Sequence, residues 1–281
     1  MTAAVPSPAE FIAALEQAGE RRTTTGGLVW HVWGNGEPLV LLHGGTGSWL
    51  HWVRNVEPLS RDFMVLAADL PGSGDSDVIE APITHEHMAQ RLRAGIAEII
   101  GPEAHFSIAG FSLGGLIGSH LARLAGERVD RFVLIGSAGT ELPRRQGEPL
   151  KSWRWLASEQ EKLDTHRQNL RILMVHDPAK ADDLALTIQT RNTLRSRIRG
   201  KHFSKPSTLA ENLPHVKARL AGIWGEHDVT CTPELAKAKL RQFQPQAPVE
   251  IMPGVGHWVQ FEAADAFNAL LRVMLAAPAR G

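Results

Sequence analysis

HFSIAGFSLGGLIGSHLARLAG, residues 105–126, decides the fold. It opens as a short apolar run and continues, from Leu113 onward, with helical spacing. Between the two lies Gly110-Phe111-Ser112-Leu113-Gly114, with no residues to spare for a loop. A strand must therefore turn directly into a helix at Ser112. A serine hydroxyl is a poor nucleophile, so this placement carries chemistry only if another group activates it.

Working outward, the same alternation recurs. PLVLLHG (38–44), FMVLAADLPG (63–72), RFVLIGSAG (131–139), RLAGIWGEHD (219–228) and PVEIMPGVGHW (248–258) read as strands ending in loops. They are nearly continuously hydrophobic, as strands buried on both faces should be. HMAQRLRAGIAEII, PELAKAKLRQFQ and DAFNALLRVMLAA have helical spacing. Such alternation predicts an α/β chain with a mostly parallel sheet and helices on both faces. TTTGGLVWHVWGNG reads as a leading antiparallel hairpin, and Ser7-Pro8 with Glu10 as the capped start of a short helix. The alternation breaks over 140–214, which is rich in Arg, Gln and Trp and shows helical periodicity without a convincing strand. This segment is expected to be a helical cap insertion, with 1–139 and 215–281 forming the core.

The bulk properties narrow the function classes. With 281 residues, 43% hydrophobic and 21% charged, the chain can bury a sizeable core and is not expected to be disordered. Lys+Arg 30 against Asp+Glu 30 gives a formal net charge of +0, which argues against bulk attraction to nucleic acid or a membrane surface. Cys231, the single cysteine, cannot form an internal disulfide, which suits a reducing compartment. No stretch approaches the ~18 apolar residues of a membrane span, and the first residues lack the basic start and unbroken apolar core of a signal peptide. The expectation is a cytoplasmic protein acting on a small molecule, with no nucleic-acid or membrane partner; a homo-oligomer stays open.

The activating groups fall where the fold would deliver them. Asp228 ends the run AGIWGEHD, and His257 follows the next one in MPGVGHW. Both would emerge beside Ser112 at the carboxyl edge of a parallel sheet, where open α/β sheets build their sites. Ser112, Asp228 and His257 are the expected catalytic residues. The helix N-terminus after Ser112 offers free amides to an oxyanion. His43-Gly44-Gly45-Thr46-Gly47-Ser48 can turn further amides inward, so Leu113 and Gly45 are the expected donors. No metal and no cofactor is called for. Asp69 in ADLPGSGDSD reads as a turn former, and Cys231 as an inert neighbour of the acid loop.

Through HGG, DLPGSGDSD, GFSLGG, GEHD and GHW the chain resembles the α/β-hydrolase superfamily over nearly its whole length. The resemblance implies an eight-stranded, mostly parallel sheet with a helical cap, and a cofactor-independent serine hydrolase. Among its branches the chain is most similar to the meta-cleavage product hydrolases, which split carbon–carbon bonds in ring-fission dienones. Arg54-Asn55-Val56, the tail Gly256-His257-Trp258-Val259-Gln260-Phe261-Glu262 and an arginine in the cap carry that likeness. It departs where Thr46 interrupts the glycine run and where Phe111, not asparagine, precedes the nucleophile. Phe111, Trp258 and Arg191 are the substrate-binding candidates.

Two of these stay open on the residues alone. Ile188, Arg191, Arg195 and Ile198 all fall within about 40° of Leu184 on a helical wheel. RNTLRSRIRGK is either a solvated face or a stripe from which Arg191 reaches a substrate carboxylate. Trp258 either walls the cavity or packs as a structural aromatic. The substrate is expected to be a carboxylic ester or a vinylogous diketone. Ser112 disfavours dehalogenase or epoxide-hydrolase chemistry, which resembles families with an aspartate nucleophile. A haloperoxidase-like perhydrolase would use the same triad, and a non-catalytic receptor on this fold is the rival from another class.

Overall fold

A computed structural model describes residues 6–137, 148–198 and 208–276. Its eight strands are β1 (Glu20–Thr24), β2 (Leu28–Trp33), β3 (Glu37–Leu42), β4 (Phe63–Ala68), β5 (Phe106–Phe111), β6 (Val129–Ile135), β7 (Arg219–Gly225) and β8 (Val249–Met252). They form one sheet in the order β1-β2-β4-β3-β5-β6-β7-β8. β1 and β2 make the antiparallel hairpin and β2 pairs antiparallel with β4; every later pairing is parallel. This is the α/β arrangement expected from the sequence.

The continuous apolar runs have a simple cause. Leu39 and Leu41 of β3 enter one core, while Val40 and Leu42 enter the other. A strand's side chains alternate between faces, so burial on both faces needs an apolar residue at every position. Helices α1 (Pro8–Ala18), α9 (Val259–Glu262) and α10 (Ala264–Ala276) cover the first face; α3 (His85–Ile100), α4 (Leu113–Ala125) and α8 (Pro233–Phe243) cover the second. The short α2 (Val56–Leu59) joins the first group. Ser7 and Glu10 close a capping box at the start of α1.

Between β6 and β7 lie α5 (Glu159–Leu173), α6 (Asp183–Arg195) and α7 (Thr208–Asn212). Leu170, Ala185 and Ile188 share the core of Trp258, Phe261 and Phe267, so α5 and α6 are joined to the sheet's first face by apolar packing. Leu209 of α7 and Leu213 instead join the second core with Ile117 and Leu121 of α4. The expected boundary at 139/140 lies outside the described residues. The expected stripe on α6 needs correction. Its buried residues are Ala185, Ile188, Asn192 and Thr193, and Arg195 is exposed. The helix ends at Arg195, where Ser196 turns extended, so Ile198 is not on that wheel. Among the described residues no helix is long and apolar enough to cross a membrane.

Candidate active site

The turn at Ser112 is as tight as its glycines suggest. Ser112 has φ 51 and ψ −113, a region that non-glycine residues rarely enter. Its N–H donates to the Ile135 carbonyl at 2.8 Å, which anchors the turn to β6. A Cβ on Gly110 would stand 2.7 Å from the Gly114 carbonyl oxygen, and one on Gly114 would stand 2.3 Å from that of Leu42. The glycines thus let α4 start against the strand ends; the Gly115 amide donates to Ser112 O at 3.0 Å, and the Leu113 and Gly114 amides before it have no carbonyl of the helix to bond.

Across the neighbouring strand ends, Asp228 follows β7 and His257 follows β8. His257 Nδ1 lies 2.8 Å from Asp228 Oδ2. Asp228 is fully buried, and its Oδ1 accepts the Thr230 amide at 2.8 Å and the Thr230 hydroxyl at 2.7 Å. Burial alone would raise its pKa. The His257 imidazole and the Thr230 donors outweigh that and hold the carboxyl below its ordinary value. An ionised Asp228 fixes the ring with Nδ1 as donor and leaves Nε2 as the basic nitrogen. Phe111, the residue before Ser112, packs against that ring with centroids 4.9 Å apart.

The HGGTGS turn closes the same space. A Cβ on Gly44 would stand 3.3 Å from Ser112 Cβ, and one on Gly45 would stand 3.9 Å from Leu113 Cδ2. His43 sets the turn's position: its Nε2 accepts the Leu70 amide at 2.9 Å and its Nδ1 donates to Gly44 O at 2.7 Å. Those roles require a neutral ring, and burial pushes the pKa down to about 4. His51 Nδ1 accepts the Gly44 amide at 3.2 Å, and burial holds this ring too well below the usual histidine value.

A serine at positive φ after β5 and a buried His–Asp pair after β7 and β8 thus share one edge of a sheet of this order. The α/β-hydrolase fold model matches residues 37–264. The chain belongs to the α/β-hydrolase fold family. It is an enzyme of that family, a hydrolase, and it is similar to the meta-cleavage product hydrolases. It is 28% identical over 260 residues to the 2-hydroxy-6-oxononadienedioate/2-hydroxy-6-oxononatrienedioate hydrolase of Comamonas testosteroni, covering 86% of this chain and 89% of that one. With the 2-hydroxy-6-oxo-6-phenylhexa-2,4-dienoate hydrolase of Burkholderia cepacia it shares 28% over 258 residues, covering 86% and 89%. A variant of the meta-cleavage product hydrolase CumD from Pseudomonas fluorescens IP01 superposes with TM-score 0.75 at 23% identity, covering 92% and 98%. An esterase from Rhodococcus sp. ECU1013 gives TM-score 0.73 at 20% identity, covering 92% and 99%.

The substrate-binding candidates on this α/β-hydrolase site land differently from the catalytic ones. Trp258 is 1% exposed, stacks on Phe261 at 4.1 Å and donates its indole N–H to His51 O at 3.0 Å. Phe111 is also 1% exposed. Both side chains are sealed among the described residues. Arg191 is half-buried in a small recess of about 20 Å³ with Glu16, Asp69, Asp75 and Arg195, and none of Ser112, His257 or Phe111 lines it. Asp69 accepts the Trp49 amide at 2.8 Å and the Asp75 amide at 2.9 Å, and so holds its turn. Burial pushes it up to about 6. Cys231 is buried in the second core.

Residues that carry the family likeness prove to be braces. Arg54 donates to Asp182 Oδ2 at 2.7 Å and to Phe261 O at 3.2 Å, with its guanidinium 3.9 Å over the Phe261 ring. Asn55 donates to Gln260 O and to Asn268 Oδ1, each at 2.9 Å. Sequence reasoning missed Thr230, His43 and His51. Only the place of Thr230 two residues after Asp228, where a hydroxyl reaches back to a carboxylate, offered a signal. Among the described residues no group of three or more His, Cys, Asp or Glu could hold a metal.

Proposed function

We propose that the chain is a cofactor-independent serine hydrolase in which Ser112, His257 and Asp228 act as a triad on a small carbonyl compound. His257 Nε2 takes the proton from Ser112 as its oxygen attacks the carbonyl carbon. Asp228 orients the ring and stabilises the imidazolium, and the Leu113 and Gly45 amides hold the oxyanion. Collapse of the tetrahedral adduct returns the proton to the leaving group and leaves an acyl-enzyme, which water attacks with His257 again as base. The observation that carries this reading is the buried His257–Asp228 contact at 2.8 Å, at the sheet edge next to a serine held at positive φ. The presence of all three triad residues favours a catalyst over a non-catalytic receptor.

The substrate is a carboxylic ester or a vinylogous diketone. The curated relatives, named as dienoate hydrolases, favour the second; the sealed Phe111 in place of the family's asparagine favours the first. Segment 140–214 acts as the cap over the site. A fluorophosphonate probe should label Ser112, and Ser112→Ala should abolish labelling while the fold persists. Aryl esters of graded chain length run beside ring-fission dienones then assign the bond that is cleaved. Adducts on Ser48 or Ser137 would overturn the assignment of the nucleophile.

A further inference from the structure

The loop that carries His257 is bound to the insertion at several points. Glu262, four-residue α9's last member, is 6% exposed and accepts backbone N–H groups from both sides. Its Oε2 takes the Gly256 amide at 2.7 Å, immediately before His257. Its Oε1 takes the Asp177 amide at 2.7 Å and the His176 amide at 2.9 Å, from the loop after α5. The Trp258 amide, immediately after His257, donates to Met174 O in that same loop at 2.7 Å. The acid loop is tied in as well, because the His176 and His227 rings stack at 3.6 Å and His227 precedes Asp228. Gly256 is required by the closeness of these backbones: a Cβ there would stand 2.6 Å from His176 N.

From this geometry we infer that Glu262 is a positioning residue that couples the insertion to His257. It rests on the triad reading given above. A carboxylate suits this place because it offers only acceptors to three converging N–H donors. Glu262→Gln keeps the shape but turns one oxygen into an NH₂ group, so a donor must face a donor on one side or the other. Whichever tie breaks, the Gly256 side of His257 is less firmly held, with the Trp258–Met174 bond left to hold the other side. Misplacement of a catalytic group by about 1 Å can cost on the order of 10²-fold in rate.

The test compares wild type, Glu262→Gln and Gly256→Ala. The second variant leaves the carboxylate in the sequence but wedges the same contact apart, its methyl 2.6 Å from His176 N and 3.1 Å from Glu262 Oε2, and it stands in for the first should that fail to fold. Three readouts are taken: the rate of fluorophosphonate labelling, kcat and KM for p-nitrophenyl acetate, and the far-downfield proton resonance of the His257 Nδ1–H, assigned by its loss in His257→Gln. The expected result is labelling and kcat lowered by about 10- to 100-fold, KM nearly unchanged, and the downfield proton lost to exchange. Wild-type labelling with an intact resonance in a folded Glu262→Gln would overturn the inference. So would a drop in activity tracking lower thermal stability with the resonance unchanged. If wild type is not labelled at Ser112, the triad reading fails; the resonance still decides whether Glu262 holds His257.

Discussion

Gly136 lies directly against His257: a Cβ at position 136 would stand 3.0 Å from His257 Nδ1 and 3.2 Å from Asp228 Oδ2. Its φ of 53 is the left-handed region, and its N–H donates to Ile223 O at 2.9 Å, so the strand end cannot move aside. Gly136→Ala should cost roughly 1–2 kcal/mol in stability for the backbone alone. It should also displace the His257–Asp228 contact and lower kcat by about ten- to a hundredfold. Urea unfolding and steady-state kinetics on one ester check both. Unchanged kcat in a destabilised variant would show that the pair tolerates the methyl group.

The Asp228 carboxylate is divided between two tasks, and the tasks can be separated. Asp228→Asn disturbs the imidazole tautomer and should lower kcat by up to ~10⁴-fold. Thr230→Val leaves the carboxylate but removes the hydroxyl 2.7 Å from Oδ1. A hydrogen bond to a charged group contributes about 1.5–3 kcal/mol, so losing it should raise the Asp228 pKa. Stability drawn from Asp228 is present above its unfolded pKa and is lost as pH falls through the folded one. Losing Thr230 therefore moves the acid loss of stability to higher pH. Denaturation curves between pH 3 and 6 read the difference. Coincident wild-type and Thr230→Val profiles would remove Thr230 from the account.

Much of this was legible because sheet chemistry repeats. An apolar residue at every strand position announced two buried faces, and a serine between glycines without loop residues announced the elbow. Asp228 and His257 could be placed because a parallel sheet collects its strand ends on one edge. The face of α6 was misjudged for a local reason. Asp182 caps the helix and Ser196 ends it, so Asn192 turns inward to accept the Ser48 hydroxyl at 2.6 Å. A buried asparagine paired over 144 positions of sequence leaves no periodic trace. Glu262 is hidden in the same way: its partners are backbone amides, and any residue supplies those.

The hairpin histidine gives a prediction about pH. His31 is 6% exposed between Trp33 and Trp49, and no hydrogen bond joins its ring to a described residue. Burial, with Arg21 nearby, pushes its pKa down to about 4. Between pH 6.5 and 4 the unfolded chain therefore binds a proton that the native state refuses, so stability falls on acidification. His31→Phe removes that proton and keeps the aromatic packing. Relative to wild type it should gain about 2 kcal/mol by pH 5, with little change in the difference above pH 7.5. Asp69, raised to about 6, opposes the trend, and because its Oδ2 lies 3.9 Å from His31 Nε2, Asp69→Asn in both backgrounds separates its contribution. A difference that stays constant from pH 8 to 5 would mean that His31 titrates normally.

Arg191 decides whether the cap arginine takes part in binding. It has no carboxylate within ion-pair distance among the described residues, although Arg195 beside it reaches Asp75 at 2.7 Å. The recess it shares with Arg195, about 20 Å³, has room for about one water. Arg191→Leu should therefore change stability by less than about 1 kcal/mol, as for other partly exposed charges. It should affect acidic and neutral esters alike. Had the side chain clamped a carboxylate, the loss would be about ten- to over a hundredfold in kcat/KM and confined to acidic substrates. Arg195→Leu is the control, since it breaks an exposed pair and should cost no more than about 1 kcal/mol. A loss confined to acidic substrates in Arg191→Leu alone would return this arginine to the binding site, and would favour a dienone acid over a plain ester.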